Sequence, residues 1–368
     1  MVMLRPAFTR RARAAVPADP EEADKPLPPE LPTSTLYFLE PVARLARRRD
    51  DVPEIARIGR NVYACGRTAV VSRYASPGEL ARAIATGPSR IVYLIDDNMV
   101  AGALDPGLPP DYRKRMKEFL ASGHERILDV ATDIVVPSRL LGELYRTMAP
   151  GLAVHLCHPI WPDRTAPCIA SETGRLRIAY LGSRSHQRDM RIVAGRLARL
   201  LRRRPDIELF TTLDPGNVFK RAEVRCFRIP TLRWPEHRQF VCAFSADIGL
   251  NPLVDTPFNR CRSVNKFVEY DLLGAVCLHS RSVISPDERL EMPTEFAVGD
   301  RPNEWIDRIA AYLDDRDRLE ADKALYRGRI EGWALEGSAV ALWEELLFEA
   351  PRPVDRHPRL PSPGFLSS

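Results

Sequence analysis

No stretch of the 368-residue chain approaches the roughly 18 consecutive apolar residues of a membrane-spanning helix. The basic start around Arg10 to Arg13 is followed by no apolar core of the kind a secretory leader carries. Cysteine is sparse: seven are scattered without a CxxC pair, which argues against a disulfide framework or a zinc ribbon and fits a reducing cytoplasm. His155, Cys157 and His158 imitate metal ligands by composition only, because strand alternation sends His155 and His158 to opposite faces. No metal and no cofactor are expected. There is no continuous basic stripe interleaved with aromatics, so nucleic acid is not the expected partner. A GxGxxG loop and a solenoid repeat are also missing.

What is present is a globular composition, 45% hydrophobic and 28% charged. The length exceeds what one core usually organises and calls for two domains. The net charge of +5 is mild, and its positive half is almost all arginine. Two arginine clusters stand out, Arg44/Arg47/Arg48/Arg49 and Arg196/Arg199/Arg202/Arg203/Arg204. Solvated helix faces are the simpler reading, and contact with anionic lipid at the inner membrane or with an acidic substrate is the other. The 33 prolines concentrate at the two ends, so residues 1–34 and 351–368 read as disordered tails.

Between the tails, short apolar runs alternate with amphipathic stretches, the pattern of parallel sheets covered by helices. Thr35 to Leu39 reads as a first strand, Arg67 to Ser72 and Arg90 to Ile95 as later ones, and Ser76-x-x-Glu79 as a capping box. A long helix spans Pro110 to Val130, strands Asp133 to Val136 and Ala153 to Cys157 follow, and a first α/β domain covers 35–159. A proline-rich linker, 160–174, leads to a second domain, 175–335, with strands at Arg177 to Leu181, Ile207 to Thr211, Asp247 to Leu250, Ala275 to His279 and Glu295 to Val298. A closing helix occupies 336–350.

Ligands of open parallel sheets bind beyond the carboxyl ends of the strands, which directs attention to three places. Ser263 is placed to cap a helix carrying Asn265 and Lys266 in its first turn and Glu269 one turn deeper. The free N–H groups, the helix dipole and the Lys266 charge favour a diphosphate, with Arg260 and Arg262 nearby, and the Glu269 carboxylate suits the hydroxyls of a ribose. A surface Lys–Glu pair is the plain alternative. Gly182, Ser183, Ser185, His186 and Arg188 follow the first strand of the second domain and can donate to phosphate oxygens. Asp96 and Asp97 end a buried strand of the first domain; a base or acceptor for a sugar hydroxyl, a metal pair and a simple turn are the readings open there. Trp161 and Trp234 flank prolines and belong at the domain seam or against a sugar ring.

These residues carry a resemblance. The run Ala246 to Leu253, then Phe258-Asn259-Arg260, Ser263 to Tyr270 and Gly274, is similar to the donor-binding stretch of retaining glycosyltransferases of the GT-B fold, in the large family 4 group of bacterial polysaccharide enzymes. Ala179 to Ser183, Phe296 to Asp300, Tyr93 to Asp97 and Thr132 to Ser138 extend it over nearly all of 36–348. The resemblance implies two Rossmann-like domains facing across a cleft, and transfer of a sugar from a nucleotide diphosphate to a glycan or lipid-linked acceptor with retention and without an obligatory metal. By position it assigns Glu269 to the ribose, Lys266 and the amides of Ser263 to Asn265 to the diphosphate, Gly182 to Ser185 to its other side, and Arg188 to the departing phosphate. Asp96 or Asp97 would face the acceptor. Two departures are plain: Cys261 stands where many members carry a glutamate eight residues before the one matched by Glu269, and Glu40-Pro41-Val42-Ala43 replaces a glycine-rich acceptor loop. They motivate a second reading, a non-catalytic module that binds a sugar nucleotide or glycan; an epimerase of the same shape is a third.

Overall fold

The computed structural model describes residues 27–163, 174–214, 216–281 and 294–351; most of the expected linker and most of both expected tails lie outside them. The chain builds two six-stranded sheets. The first runs in sequence order: β1 (Ile55–Arg57), β2 (Val62–Cys65), β3 (Thr68–Ser72), β4 (Arg90–Leu94), β5 (Asp133–Val136) and β6 (Ala153–Leu156). Strands β1 to β3 pair antiparallel and β3 to β6 parallel. Strands β1 and β2 are additions to the sequence reading; they are short and lie at the sheet's antiparallel edge.

Parallel neighbours in sequence order have one consequence. Right-handed crossovers place every connecting helix on the same face. Helices α2 (Pro77–Ala85), α3 (Met99–Leu104), α4 (110–130, with a π-helical turn at Leu120–His124) and α5 (Arg139–Met148) pack there against Val71, Tyr93, Ile134 and Val136. The predicted capping box on α2 is formed by Ser76 and Glu79. The alternate residues Val70, Val92, Leu94 and Val135 point the other way, and the first and last described helices cover them.

The covering element at the front is helix α1 (32–46). The expected strand Thr35 to Leu39 is therefore a π-helical segment inside α1: Thr-Leu-Tyr-Phe-Leu reads as a strand by propensity, but burial between a sheet face and another helix satisfies the same apolar run. The helix also begins at Pro32, with Thr33 and Ser34 buried, inside the stretch read as tail. At the other end, α13 (Leu335–Phe348) returns from the second domain to lie on α1. Trp343 packs tilted against Phe38, ring centroids 4.7 Å apart, and donates through Nε1 to the Tyr37 carbonyl at 2.6 Å. Arg90, ion-paired with Asp133, donates to the Glu345 carbonyl at 3.1 Å.

The α1 arginine cluster belongs to this closure. Arg44 reaches Asp163 and Glu336, Arg47 reaches Asp163, Arg48 reaches Glu336, and Arg49 reaches Asp51 and Glu344. These side chains tie the front helix to the segment after β6 and to α13, and do not form a free basic face.

The second sheet contains β7 (Leu176–Tyr180), β8 (Ile207–Thr211), β9 (Cys226–Arg228), β10 (Ile248–Asn251), β11 (Val276–Ser280) and β12 (Ala297–Val298), in the order β12-β11-β10-β7-β8-β9. All its pairings are parallel. Its helices are α6 (Gln187–Arg203), α7 (Gly216–Arg221), α8 (Trp234–Ala243), α9 (Pro257–Arg260), α10 (Asn265–Leu272), α11 (Pro302–Asp314) and α12 (Arg316–Gly332). Gly274, at φ +71°, supplies the left-handed residue that ends α10. Gly249 lets the Tyr270 ring lie on β10: a Cβ there would come within 2.3 Å of the ring.

Replacing Trp343 by Ala removes the ring that holds α13 on α1, and about 3–5 kcal/mol of stability should be lost, measured by urea unfolding. A loss below about 1 kcal/mol would mean that α13 does not anchor the fold.

Candidate functional site

In the second sheet the strand order reverses between β7 and β10, the point beyond which open parallel sheets bind their ligands, and the loops leaving these two strands meet there. The loop after β7 carries Gly182 to His186, and the loop after β10 runs from Pro252 through α9 to Arg262. The sequence-read donor residues thus converge because they follow adjacent strands. Gly182 is held by Thr212, which accepts from its N–H at 2.8 Å and donates to its carbonyl at 2.7 Å. Ser183 and Ser185 share a hydroxyl contact of 2.8 Å.

Below the loop, buried Asp189 organises both strand ends. One oxygen lies 3.1 Å from His186 Nδ1, and the other accepts from Val254 N–H at 2.9 Å and Asn259 Nδ2 at 3.1 Å. Burial and the positive charges of Arg262 and Lys266 lower the His186 pKa against the pull of Asp189. The imidazole is therefore neutral at neutral pH.

Arg262 is the central cation. Its guanidinium stacks on Phe258 at 4.6 Å, donates to Ser185 Oγ at 3.4 Å, and lies 3.6 Å from Asp97 of the first domain. Arg260, expected beside it, points away to an exposed pair with Asp255 at 2.6 Å. Arg188 also faces the first domain, where it pairs with Asp105 at 3.1 Å, and Arg184 pairs with Asp111 at 3.2 Å.

Asp96 and Asp97 follow β4 and share Arg73, which takes a left-handed φ of 56° directly after β3. Arg73 lies 3.2 Å from Asp96 and bonds to Asp97, which also accepts from Tyr112 at 2.9 Å; Thr33 of α1 donates to Asp96 at 2.6 Å. Burial raises the Asp96 pKa, with Asp97 adding to the effect against Arg73. Burial acts on Asp97 too, but Arg73, Arg262 and the Tyr112 hydroxyl outweigh it and hold the carboxyl below its usual value. Two adjacent carboxylates thus have opposed tendencies, Asp97 to stay charged and Asp96 to take a proton.

Cys261 lies in the seam between the domains. Ser138 donates to its carbonyl at 2.7 Å, and Asn98 Nδ2 lies 3.5 Å from its sulfur. Burial raises the thiol pKa, as does the charge of Asp97.

Helix α10 departs from its reading in detail. Val264 occupies the N-cap position, and the Ser263 hydroxyl one residue earlier accepts from Asn265 N–H at 3.3 Å. The Asn265 side chain accepts from Trp161 at 2.8 Å. Glu269 is only 1% exposed: His237 Nε2 holds one oxygen at 2.7 Å and Lys266 bonds to the other. Burial pushes its pKa up, but Lys266 and His237 overcome this and lower it to about 2. Both oxygens of Glu269 are thus occupied, by His237 and by Lys266. Trp161 and Trp234 pack together at 5.3 Å in the seam, where Trp234 donates to Thr35 of α1 at 2.8 Å.

Arg73, Tyr112, Thr33, Asp105 and His237 were not read from the sequence. Arg73 carried a signal, since it too follows the carboxyl end of a parallel strand. The others come from helices or loops distant in sequence. His155 and His158 do face apart, His155 to Asp133 at 2.8 Å and His158 to Ser338 of α13 at 3.2 Å.

Two outcomes follow. Glu269→Gln should cost about 3 kcal/mol at neutral pH. Because the folded-state pKa is depressed, the wild-type advantage is complete above about pH 5 and disappears as pH falls toward about 2, which urea unfolding across that range will show; a pH-independent difference would contradict the ionised pair. Asp105→Asn frees Arg188 and should tighten inorganic pyrophosphate binding several-fold by calorimetry, whereas unchanged affinity would exclude Arg188 from an anion site.

Comparison with known proteins places the fold. No protein-family model matches the chain, and no curated protein matches it in sequence. Among solved structures, a point mutant of Staphylococcus aureus TarM in complex with fondaparinux, alpha-GlcNAc-glycerol and UDP superposes with a TM-score of 0.51 at 9% identity, over 74% of this chain and 54% of TarM. The chain thus spans about half of TarM. Anabaena HepE in complex with UDP and glucose reaches 0.48 at 12% identity, over 76% of this chain and 77% of HepE. A putative UDP-N-acetylglucosamine 2-epimerase from Listeria monocytogenes reaches 0.43 at 11%, over 75% and 73%. At such identities the likeness is one of fold: two α/β domains in the GT-B arrangement.

Proposed function

We propose that the chain is a glycosyltransferase of the hexosyltransferase type. It moves a sugar from a nucleotide diphosphate to a glycan or lipid-linked acceptor with retained configuration, on the cytoplasmic side of bacterial surface-polysaccharide synthesis. One observation carries this reading: Arg262 touches Ser185 of the donor-side loop and Asp97 of the first domain at once, so a cation sits where donor and acceptor would meet. The fold shared with TarM, whose complex holds UDP and a GlcNAc-glycerol, supports a nucleoside diphosphate as the donor moiety.

In this reading Gly182 to Ser185, Arg262, Lys266 and the first amides of α10 receive the diphosphate. As the bond from the sugar's anomeric carbon to the diphosphate oxygen breaks, the negative charge gathering on that oxygen meets Arg262 and Lys266, with Arg188 released from Asp105 to join them. Preorganised charge of this kind is usually the largest catalytic term. Neutral His186 adds a hydrogen-bonding group without a further positive charge. Asp96, the carboxylate with the raised pKa, is suited to accept a hydrogen bond from the attacking hydroxyl, while Asp97 holds Arg262 in place.

Cys261 favours a second reading, a sugar-nucleotide or glycan-binding module without turnover. The resemblance calls for a carboxylate at this position, and the structure supplies a buried thiol with a raised pKa.

Thermal unfolding against UDP-, GDP-, ADP- and CMP-sugars should show stabilisation by one nucleotide class, since a ligand stabilises the state it binds. Arg262→Ala should weaken that nucleotide at least about tenfold, and Lys266→Ala should abolish transfer to acceptor. Transfer unchanged in Lys266→Ala would refute the assignment, and tight binding without transfer by the wild type would establish the module reading.

A further inference from the structure

The second arginine cluster differs from the first in that only Arg204, its last member, is held by carboxylates. Helix α6 buries Met190, Val193, Leu197, Ala198 and Leu201 against its sheet. Its exposed positions from residue 191 to 203 are Arg191, Gly195, Arg196, Arg199, Arg202 and Arg203. At 100° per residue the five arginines fall within about 140° of the circumference and extend about 18 Å along the axis. None of the five ion-pairs with a described residue. Glu304 and Asp307 of α11 share a surface depression with Arg196, and Arg204, just past the helix, is occupied by Asp206 and Asp314. The cations of α1, by contrast, are all paired.

We infer that the arginine face of α6 rests on an anionic lipid bilayer surface. Its exposed positions hold only arginine and one glycine, with no aromatic, amide or hydroxyl side chain to fix the register of a sugar chain. A face made of charge alone fits a partner that is itself a diffuse sheet of charge. There is no exposed apolar side chain among these positions to insert, so attachment is electrostatic, reversible and weakened by salt. The same helix starts at the candidate donor loop, and Arg188 lies on the same arc, so a bilayer against α6 comes up to that loop. An acceptor anchored in lipid would then arrive beside the site.

Vesicle binding requires neither donor nor turnover and tests the face apart from the proposed transfer. The full chain should co-sediment with phosphatidylcholine–phosphatidylglycerol vesicles and not with phosphatidylcholine alone, and added salt should release it. The combined variant Arg191→Gln/Arg199→Gln/Arg202→Gln/Arg203→Gln should lose at least about tenfold in partitioning with an unchanged circular dichroism spectrum. Arg47→Gln/Arg48→Gln just past α1 should bind as the wild type does. Equal binding by the α6 variant, indifference to lipid charge, failure of the wild type to bind anionic vesicles, or displacement from vesicles by a polyuronate at low concentration would each overturn the inference.

Discussion

A buried carboxylate that must stay ionised is the constraint on which the cleft depends. Asp97 is 5% exposed, and an unpaired charge so placed would cost several kcal/mol. Arg73 compensates it from its own domain and Arg262 from the other. The approach of the domains therefore completes the charge compensation of the first, and the same contact brings the Gly182 loop to the end of β4. Arg188–Asp105 and Arg184–Asp111 repeat the arrangement at the rim, each with a second-domain cation and a first-domain carboxylate.

The way the two chain ends are used prepares this contact. A sheet whose parallel strands follow in sequence order leaves one face bare, and α1 and α13 close it. Because α1 is a helix lying across that face, its first turns reach the cleft. Thr33 bonds Asp96, and Thr35 accepts from Trp234. A structural helix thus lines the meeting point of both domains and occupies the place where the resemblance leads one to expect a strand and a glycine-rich loop.

Much of the architecture was legible in the sequence because it follows local rules. Short apolar runs marked β3 to β8 and β10 to β12, Ser76 and Glu79 marked the start of α2, and Lys266 with Glu269 marked one face of α10. Propensity failed at Thr35 to Leu39, where tertiary burial overrode a strand-like run, and β1, β2 and β9, short strands toward the sheet edges, were not read. The arginine clusters looked alike in sequence. Only the positions of Asp163, Glu336 and Glu344 left the first paired and the second, Arg204 aside, facing solvent unpaired.

By itself the sequence determined which residues follow the parallel strands, and hence that Gly182 to Arg188, Asp96 to Asn98 and Asn259 to Glu269 would cluster, since strand direction and crossover handedness leave little choice. Tertiary structure alone decided what these groups touch. Glu269 became a sealed partner of His237 and Lys266, Arg188 turned to Asp105, and Arg262 instead of Arg260 took the centre. The physical reason is that hydrogen bonding and charge compensation act over a few ångströms between segments far apart in the chain, a distance that no local pattern of residues encodes.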